Sequence, residues 1–282
     1  MKLPNWIKIK DFNKDSYLET FNLVSKSRLH TVCVEANCPN RYECFSNKTA
    51  TFMILGDTCT RNCKYCNIKK GIPNLVDKNE PERIAKAVKK LKLNYVVITS
   101  VTRDDLKDGG AGHFVKTVKE IRKINPKCKI ELLISDLKGN WDSLKKIVDS
   151  KPDLVNHNVE VAKILFPKLR PKGSYKLSIE LLKRAKKINP VITTKSGFMI
   201  GLGETKKQII QTLKDLKEAQ VDIVTIGQYL SPSSKHAKIK KFYNPKEFQE
   251  IKSIAKKIGL KKVIAGPLIR SSYNAGECFN EK

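Results

Sequence analysis

From Thr51 to Gly266 the sequence alternates short apolar runs with longer amphipathic segments, the rhythm of βα units around a parallel sheet. Strands are expected at Thr51–Gly56, Tyr95–Ser100, Ile130–Ser135, Leu154–Val159, Ser196–Gly201, Ile223–Gln228 and Val263–Gly266. Helices are expected near Glu82–Leu91, His113–Ile124, Trp141–Val148, Ser178–Ile188, Thr205–Glu218 and Lys246–Ile258. Polar residues and glycines gather where the strands end. Asp57 and the Cys59 loop follow the first strand, "TRDDLKDGGAG" the second and Asp136 the third, and "NHNVE", "GLGET" and Gln228 mark the next three. A (β/α) barrel collects its chemistry at that end of its strands. The expected fold is therefore α/β, a partial (β/α) TIM-like barrel of about six parallel strands. It spans residues 51–266, with residues 1–50 as an N-terminal extension and residues 267–282 as a C-terminal tail, both over the barrel mouth.

Six of the eight cysteines fall into two triplets, Cys33-x4-Cys38-x5-Cys44 and Cys59-x3-Cys63-x2-Cys66. Disulfides need pairs, and a closed tetrahedral zinc site needs four ligands. A chain of 282 residues can bury a core without covalent struts. The opening "MKLPNWIKIKDFNKD" has no apolar run, and no stretch reaches the length of a membrane span, so a soluble cytoplasmic protein with no membrane partner is expected. In a reducing compartment clustered cysteines are metal ligands or redox groups more often than disulfides. The formal charge of +28, from 56 Lys plus Arg against 28 Asp plus Glu, attracts anionic partners: nucleic acid, an acidic protein or a phosphate-bearing metabolite. Most lysines lie on solvated helical faces such as "IAKAVKKLK", so charge alone selects none of these.

Three thiolates just after the first expected strand can hold three irons of a cubane [4Fe–4S] cluster, which normally takes four cysteines. The fourth iron is left open. This spacing, with Tyr65 before the last cysteine, resembles the signature of the radical S-adenosylmethionine superfamily. The resemblance implies that S-adenosylmethionine chelates the open iron and is cleaved reductively to a 5′-deoxyadenosyl radical. A zinc site with a distant fourth ligand is the alternative. Gly109 and Gly110 can let backbone approach the methionine moiety, and Asn158 and Glu160 can bond the ribose hydroxyls. Tyr65 and Gln228 complete the expected cofactor contacts, and a loop or strand-end structural role stands beside each.

The first triplet, "GDTCTRNCKYC" and "GPLIRSSY" together resemble the lipoyl synthase family, with further matches at "TRDDLKDGGA", "NHNVE", "RPKGSYKLSIELLKRAKK" and "TKSGFMIGLGET". Val34 and Phe45 stand where the family commonly has acidic and tryptophan residues; neither is a ligand. The resemblance implies that Cys33, Cys38 and Cys44 bind an auxiliary [4Fe–4S] cluster whose fourth ligand is Ser272, a hard alkoxide that can be protonated and released during sulfur donation. It implies that this cluster is consumed as the sulfur source, with insertion at C6 and C8 of an octanoyl-lysine group and two molecules of S-adenosylmethionine used per lipoyl group. The implied partners are an octanoylated lipoyl carrier protein or domain, commonly acidic, an electron donor such as ferredoxin or flavodoxin, and an iron–sulfur carrier that rebuilds the cluster. Nucleic acid is not among them, and a monomer is the default.

Two rival readings differ in class. A radical methylthiotransferase acting on transfer RNA also carries two three-cysteine clusters, but its extra cysteines are spread through a separate N-terminal domain, and nothing after the barrel here is long enough for an RNA-binding β-domain. A zinc-stabilised nucleic-acid-binding module suits the charge and leaves the strand-end glycines unexplained. Cys128 and Cys278 fit neither triplet and read as unligated thiols, His157 as a hydrogen-bonded barrel residue, and Trp6 as packing. Arg170, Lys195, Ser196 and Arg270 are candidates for substrate or cofactor carboxylates without individual roles.

Overall fold

The computed structural model describes residues 3–8 and 11–280. In chain order the elements are α1 (Lys14–Lys26), β1 (His30–Thr31), α2 (Val32–Glu35), α3 (Arg41–Ser46), β2 (Thr51–Ile54), β3 (Thr58–Cys59), β4 (Lys69–Lys70) and α4 (Glu80–Lys90). There follow β5 (Tyr95–Ser100), α5 (Ala111–Ile124), β6 (Lys129–Leu133), α6 (Trp141–Asp149), β7 (Leu154–Asn156), α7 (Phe166–Leu169), α8 (Tyr175–Ile188) and β8 (Thr193–Ile200). The last are α9 (Lys206–Glu218), β9 (Ile223–Gln228), α10 (Pro245–Lys257), β10 (Lys262–Gly266) and α11 (Ala275–Asn280). The chain divides into two compact units. The first holds the described residues of Lys10–Arg61, Asn67–Val155 and Ser272–Lys282, and the second those of Met1–Ile9, Asn62–Cys66 and Asn156–Ser271.

In the first unit β2, β5 and β6 run parallel, with Thr51 opposite Val97 and Tyr95 opposite Lys129. Phe52, Met53 and Ile54 in β2 and Val96, Val97 and Ile98 in β5 are buried, so these two strands are apolar on both faces, as parallel strands covered on both sides require, while β6 buries Ile130 and Leu132 on one face and Glu131 on the other. Their helices start and stop for local reasons. α4 has Pro81 and two acidic residues in its first turn and Lys89 and Lys90 in its last, which complements the helix dipole. Its buried stripe, Ile84, Ala85 and Val88, faces that of α5, Phe114, Val118 and Ile121. β2 ends two residues before expected because Leu55 (φ 69°) and Gly56 (φ 89°) turn the chain through the left-handed region. β1 pairs antiparallel with β2, His30 opposite Met53; a two-residue strand leaves no period in the sequence. α1 and α3 meet through Tyr17, Tyr42 and Phe45, and the Thr20 hydroxyl donates to the Phe45 carbonyl at 2.7 Å. α11 returns to β5, where Gly276 sits against the Tyr95 side chain and the Phe279 ring lies 5.6 Å from that of Tyr95.

In the second unit β8, β9 and β10 are parallel, with Lys195 and Lys262 both opposite Ile223. The core is formed by Val159, Phe198, Ile200, Leu213, Leu216, Val224, Ile226 and Phe248 among others. Capping boxes open α9 (Thr205 with Gln208) and α10 (Asn244 with Glu247), each satisfying backbone donors that a helix start leaves over. β8 buries three consecutive polar residues, Thr194, Lys195 and Ser196, along with its apolar residues, where β2, β5 and β6 each bury a single one, Thr51, Thr99 and Glu131. Buried polar groups of this kind mark an interior built for more than packing. Beside β8 the chain continues from β7, with His157 N–H donating to Lys195 O at 3.0 Å and Glu160 N–H to Gly197 O at 3.0 Å.

Residues 267–271 press on β9. A methyl group on Gly227 would lie 2.1 Å from the Ile269 carbonyl oxygen and 3.0 Å from the Arg270 guanidinium, so only glycine lets that backbone come so close. Gly227→Ala should cost about 1–3 kcal/mol, seen as a lower urea midpoint with an unchanged slope. An unaltered midpoint would show that this contact does not fix the segment leading into the tail.

Candidate functional site

The first triplet is assembled on short helices in the first unit. Thr31 caps α2 through its hydroxyl (Val34 N–H, 3.3 Å), and α2 carries Cys33. Cys38 N–H returns to Cys33 O at 3.2 Å, after a turn in which Asn37 takes φ 49°, and Arg41 N–H binds Cys38 O at 3.1 Å as α3 begins. Cys44 sits on α3, whose Phe45 is fully buried. Cys33 is buried, Cys38 and Cys44 are half-buried, and all three are free thiols. Burial and then the neighbouring Cys38 push the Cys33 thiol up to about 12, and burial followed by Cys33, Cys38 and Glu43 pushes Cys44 up further. Cys38 acts on Cys33, and both act on Cys44, so the three thiols lie near one another.

The tail reaches the same helix. The Tyr273 hydroxyl lies 2.9 Å from both Glu43 carboxylate oxygens and donates to that group. Glu43 precedes Cys44 and Tyr273 follows Ser272, so this bond draws the half-buried Ser272 to the part of the chain that carries Cys44.

The second triplet is divided between the units. In the first, Cys59 ends β3, its carbonyl accepts from Gly71 N–H at 3.0 Å, and its sulfur accepts from Arg61 N–H at 3.4 Å. Arg61 is 3% exposed. Its guanidinium is bidentate to Asp104 (2.8 and 2.9 Å) and to Asp136 (2.6 Å to each oxygen). Burial alone would lower the Arg61 pKa, but the bonds to the two aspartates override it and raise it. In the second unit Cys66 N–H binds Cys63 O at 3.3 Å, and the loop is held from outside by Lys64 N–H to Leu169 O (2.8 Å) and Ala237 N–H to Lys64 O (2.9 Å). The His236 ring bonds the Cys66 carbonyl at 3.2 Å. Among the described residues no three His, Cys, Asp or Glu side chains converge on a single-ion site; a cubane takes one thiolate per iron and needs no such point.

The expected cofactor contacts fall out differently. Tyr65, Asn158, Glu160 and Arg170 form one group in the second unit. Burial and then Glu160 raise the Tyr65 hydroxyl, and burial raises the Glu160 carboxyl against the opposing pull of Arg170 and Asn158. Glu160 takes φ 65° and donates its N–H to Gly197 O while its own carbonyl accepts from Met199 N–H at 2.8 Å. Asn158 Nδ2 donates to Ser271 Oγ at 3.1 Å, and its buried Oδ1 has no partner among the described residues. In the first unit Gly109 (φ 59°) and Gly110 (φ 91°) turn the chain into α5, and a methyl on Gly110 would strike Leu55.

Gln228 must be corrected. It is fully buried, its Nε2 donates to Tyr229 O and Lys241 O at 3.0 Å each, and its Oε1 accepts from Tyr243 N–H at 2.9 Å. Both donor hydrogens and one lone pair of the acceptor are engaged with backbone groups, so this side chain clamps the loop after β9.

Residues 53–216 match the family model for the radical S-adenosylmethionine superfamily. The lipoyl synthase of Halalkalibacterium halodurans is 51% identical over 282 residues, covering 100% of this chain and 93% of that protein. That of Caldicellulosiruptor saccharolyticus is 51% identical over 276 residues (98% and 97%), and that of Bacillus subtilis 50% over 282 residues (100% and 95%). The chain belongs to the lipoyl synthase family. It is thus a radical sulfur-inserting enzyme that works with S-adenosylmethionine and [4Fe–4S] clusters. The transfer-RNA methylthiotransferase and zinc-module readings are set aside by the full-length match. Methylornithine synthase (TM-score 0.54, 14% identity, 94% of this chain and 82% of that one) shares the fold. So does coproporphyrinogen III oxidase from Escherichia coli, a radical S-adenosylmethionine enzyme (TM-score 0.53, 16% identity, 72% and 51%). The fold is the expected TIM-like α/β arrangement of mostly parallel strands.

Sequence reasoning missed Arg61 and His236. The signal for Arg61 was present: an arginine between two ligand candidates, in a chain with Asp104 and Asp136 at strand ends. Of the residues without assigned roles, Cys128 is buried with its thiol pushed up to about 11 by burial, and Cys278 lies half-buried on α11. His157 and Lys195 are each 1% exposed, and Trp6 donates to Tyr243 O at 3.2 Å. Arg170 donates to Asn158 O at 3.1 Å and Arg270 to Ile269 O at 2.7 Å. Arg61→Ala leaves Asp136, itself 1% exposed, as a buried carboxylate without its cation, which should cost about 3–5 kcal/mol. Urea unfolding checks the stability and iron analysis after anaerobic reconstitution checks the loop; unchanged values for both would show that the ion pairs do not position Cys59.

Proposed function

We propose that this enzyme inserts sulfur at C6 and C8 of an octanoyl-lysine group on a lipoyl carrier protein, with Cys33, Cys38, Cys44 and Ser272 holding the auxiliary cluster and Cys59, Cys63 and Cys66 the other. The observation that carries the ligand assignment is the gathering of three free thiols on α2, on α3 and in the turn between them, with the Glu43–Tyr273 bond beside Ser272. The donor set fits iron. Three soft thiolates suit an iron–sulfur cluster, and thiols raised by burial and by each other lose their protons when a cation compensates them. When bound, the second cluster and S-adenosylmethionine supply the radical that removes hydrogen from unactivated carbon.

The chain's own part is to hold and orient. The orphaned Asn158 Oδ1 and the buried Glu160 carboxyl are acceptors suited to the ribose hydroxyls of S-adenosylmethionine, with the Tyr65 ring beside them. Gly109 offers bare backbone for the methionine moiety. Arg61 fixes the Cys59 end of its loop, and Leu169, His236 and Ala237 fix the Cys63–Cys66 end. Ser272 would give that cluster an oxygen as its fourth donor, one that can be protonated. Residues 1–50 and 267–282 act as the cluster-bearing extensions of the barrel formed by residues 51–266. Eight cysteines without a disulfide fit work in a reducing cytoplasm, where ferredoxin or flavodoxin serves as reductant and an iron–sulfur carrier restores the spent cluster. No helix among the described residues is long and apolar enough to cross a membrane.

Anaerobically reconstituted protein given reductant, S-adenosylmethionine and an octanoyl-lysine peptide should replace two hydrogens by two sulfurs, read by mass spectrometry. A peptide of unchanged mass alongside continued S-adenosylmethionine cleavage would reject this substrate. Ser272→Ala should keep that cleavage and lower sulfur insertion by roughly 100-fold or more. Added salt should weaken carrier-protein binding more than peptide binding, because the +28 surface acts on the folded acidic partner; equal salt sensitivity would contradict this.

A further inference from the structure

The loop after β4 carries the two most exposed large aliphatic side chains among the described residues, Ile72 at 96% and Leu75 at 98%. A single exposed aliphatic residue is ordinary. Here two stand within four residues of each other, and Pro73 between them removes backbone freedom, so a partner that covers them finds the loop partly ordered in advance. The loop is also tied to the cysteine-bearing segment. β3 and β4 run parallel with Cys59 opposite Lys70, and Gly71 N–H, one residue before Ile72, donates to the Cys59 carbonyl at 3.0 Å.

The charge around the tip is predominantly basic. Lys69, Lys70 and Lys78 are exposed. Of the acidic groups nearby, Asp57 faces Lys69 at 3.8 Å and Asp77 is bound by Arg83 at 2.8 Å, which leaves a basic collar on a chain of net charge +28. Two such surfaces repel one another, which opposes self-association. An acidic folded domain is attracted by the collar and can cover the apolar tip.

We propose that the Ile72–Leu75 tip is the docking element for the acidic carrier domain that presents the octanoyl-lysine arm. This rests on the sulfur-insertion reading above and adds where the carrier sits: at the loop that leaves the Cys59 strand, so that a short acyl-lysine arm starts beside the cluster loop. Each aliphatic side chain fully covered on docking is worth roughly ten-fold in affinity.

The test compares the reconstituted wild-type protein with the Ile72→Ser/Leu75→Ser double variant in two assays. Fluorescence anisotropy measures binding of an octanoylated, acidic lipoyl carrier domain, and mass spectrometry measures turnover of the octanoyl-lysine peptide. Because both side chains are in solvent, the variant keeps its fold and iron content. The expected result is a ten-fold or greater rise in Kd for the domain with peptide turnover unchanged. An unchanged Kd overturns the proposal, and so does an equal loss with domain and peptide, which would make the tip part of the reaction centre. It is likewise overturned if the variant loses binding to phosphatidylglycerol vesicles, or loses self-association by sedimentation, while the carrier Kd stays the same. Failure of the wild type to modify the peptide would count against sulfur insertion, and the binding comparison would still decide the docking.

Discussion

A hydrogen bond between Tyr273 and Glu43 joins residues 230 positions apart and ties the tail to the helix that carries Cys44. Ordering one residue costs about 1–2 kcal/mol of chain entropy, and a bond to a charged acceptor returns about 1.5–3 kcal/mol. The bond therefore cannot hold the whole tail by itself. The remainder comes from α11, where Ala275 is buried, Gly276 has no side chain to keep it from Tyr95, and Phe279 packs on the Tyr95 ring. Without these contacts Ser272 would have no reason to stay near α3, and the triplet would lack the fourth donor proposed for it.

The two triplets are prepared in different ways. In the first, burial and neighbouring thiols raise Cys33, up to about 12, and Cys44, so the metal proposed for that site competes with protons. Loading that site must release protons, so it becomes easier as pH rises. In the second, the emphasis is on geometry. Arg61 sits between the ligand candidates with its charge matched by Asp104 and Asp136 in nearly dry surroundings, and an N–H of the same residue points at the Cys59 sulfur. A buried bidentate pair tolerates little displacement. That rigidity suits the role proposed for this loop, holding a cluster.

The strands were legible because parallel strands buried on both faces read as continuous apolar runs, as in "TFMI" and "YVVITS". The cysteines were legible by spacing. α1, α2, α3 and β1 were not: α2, α3 and β1 are short, α1 buries only Thr20, Leu23 and Val24, and α3 is set by ring contacts with α1 and by the Thr20 hydroxyl, none of which leaves a period in the sequence. Gln228 shows the limit of position as a guide. It stands at a strand end like a ligand contact, yet its amide is spent on backbone groups of residues 229, 241 and 243. Arg61 shows the converse, since its partners lie 43 and 75 residues away and only folding brings them together.

The central claim is that the first triplet holds the sulfur that ends in the product. The direct measurement is to rebuild the clusters with heavy-isotope sulfide, remove all free sulfide, and weigh the product formed from an octanoyl-lysine peptide. Both inserted sulfurs should carry the heavy isotope, and the label should vanish from the product when Cys33, Cys38 and Cys44 are replaced by alanine while S-adenosylmethionine is still cleaved. Product containing light sulfur, or undiminished product from the triple variant, would contradict the account.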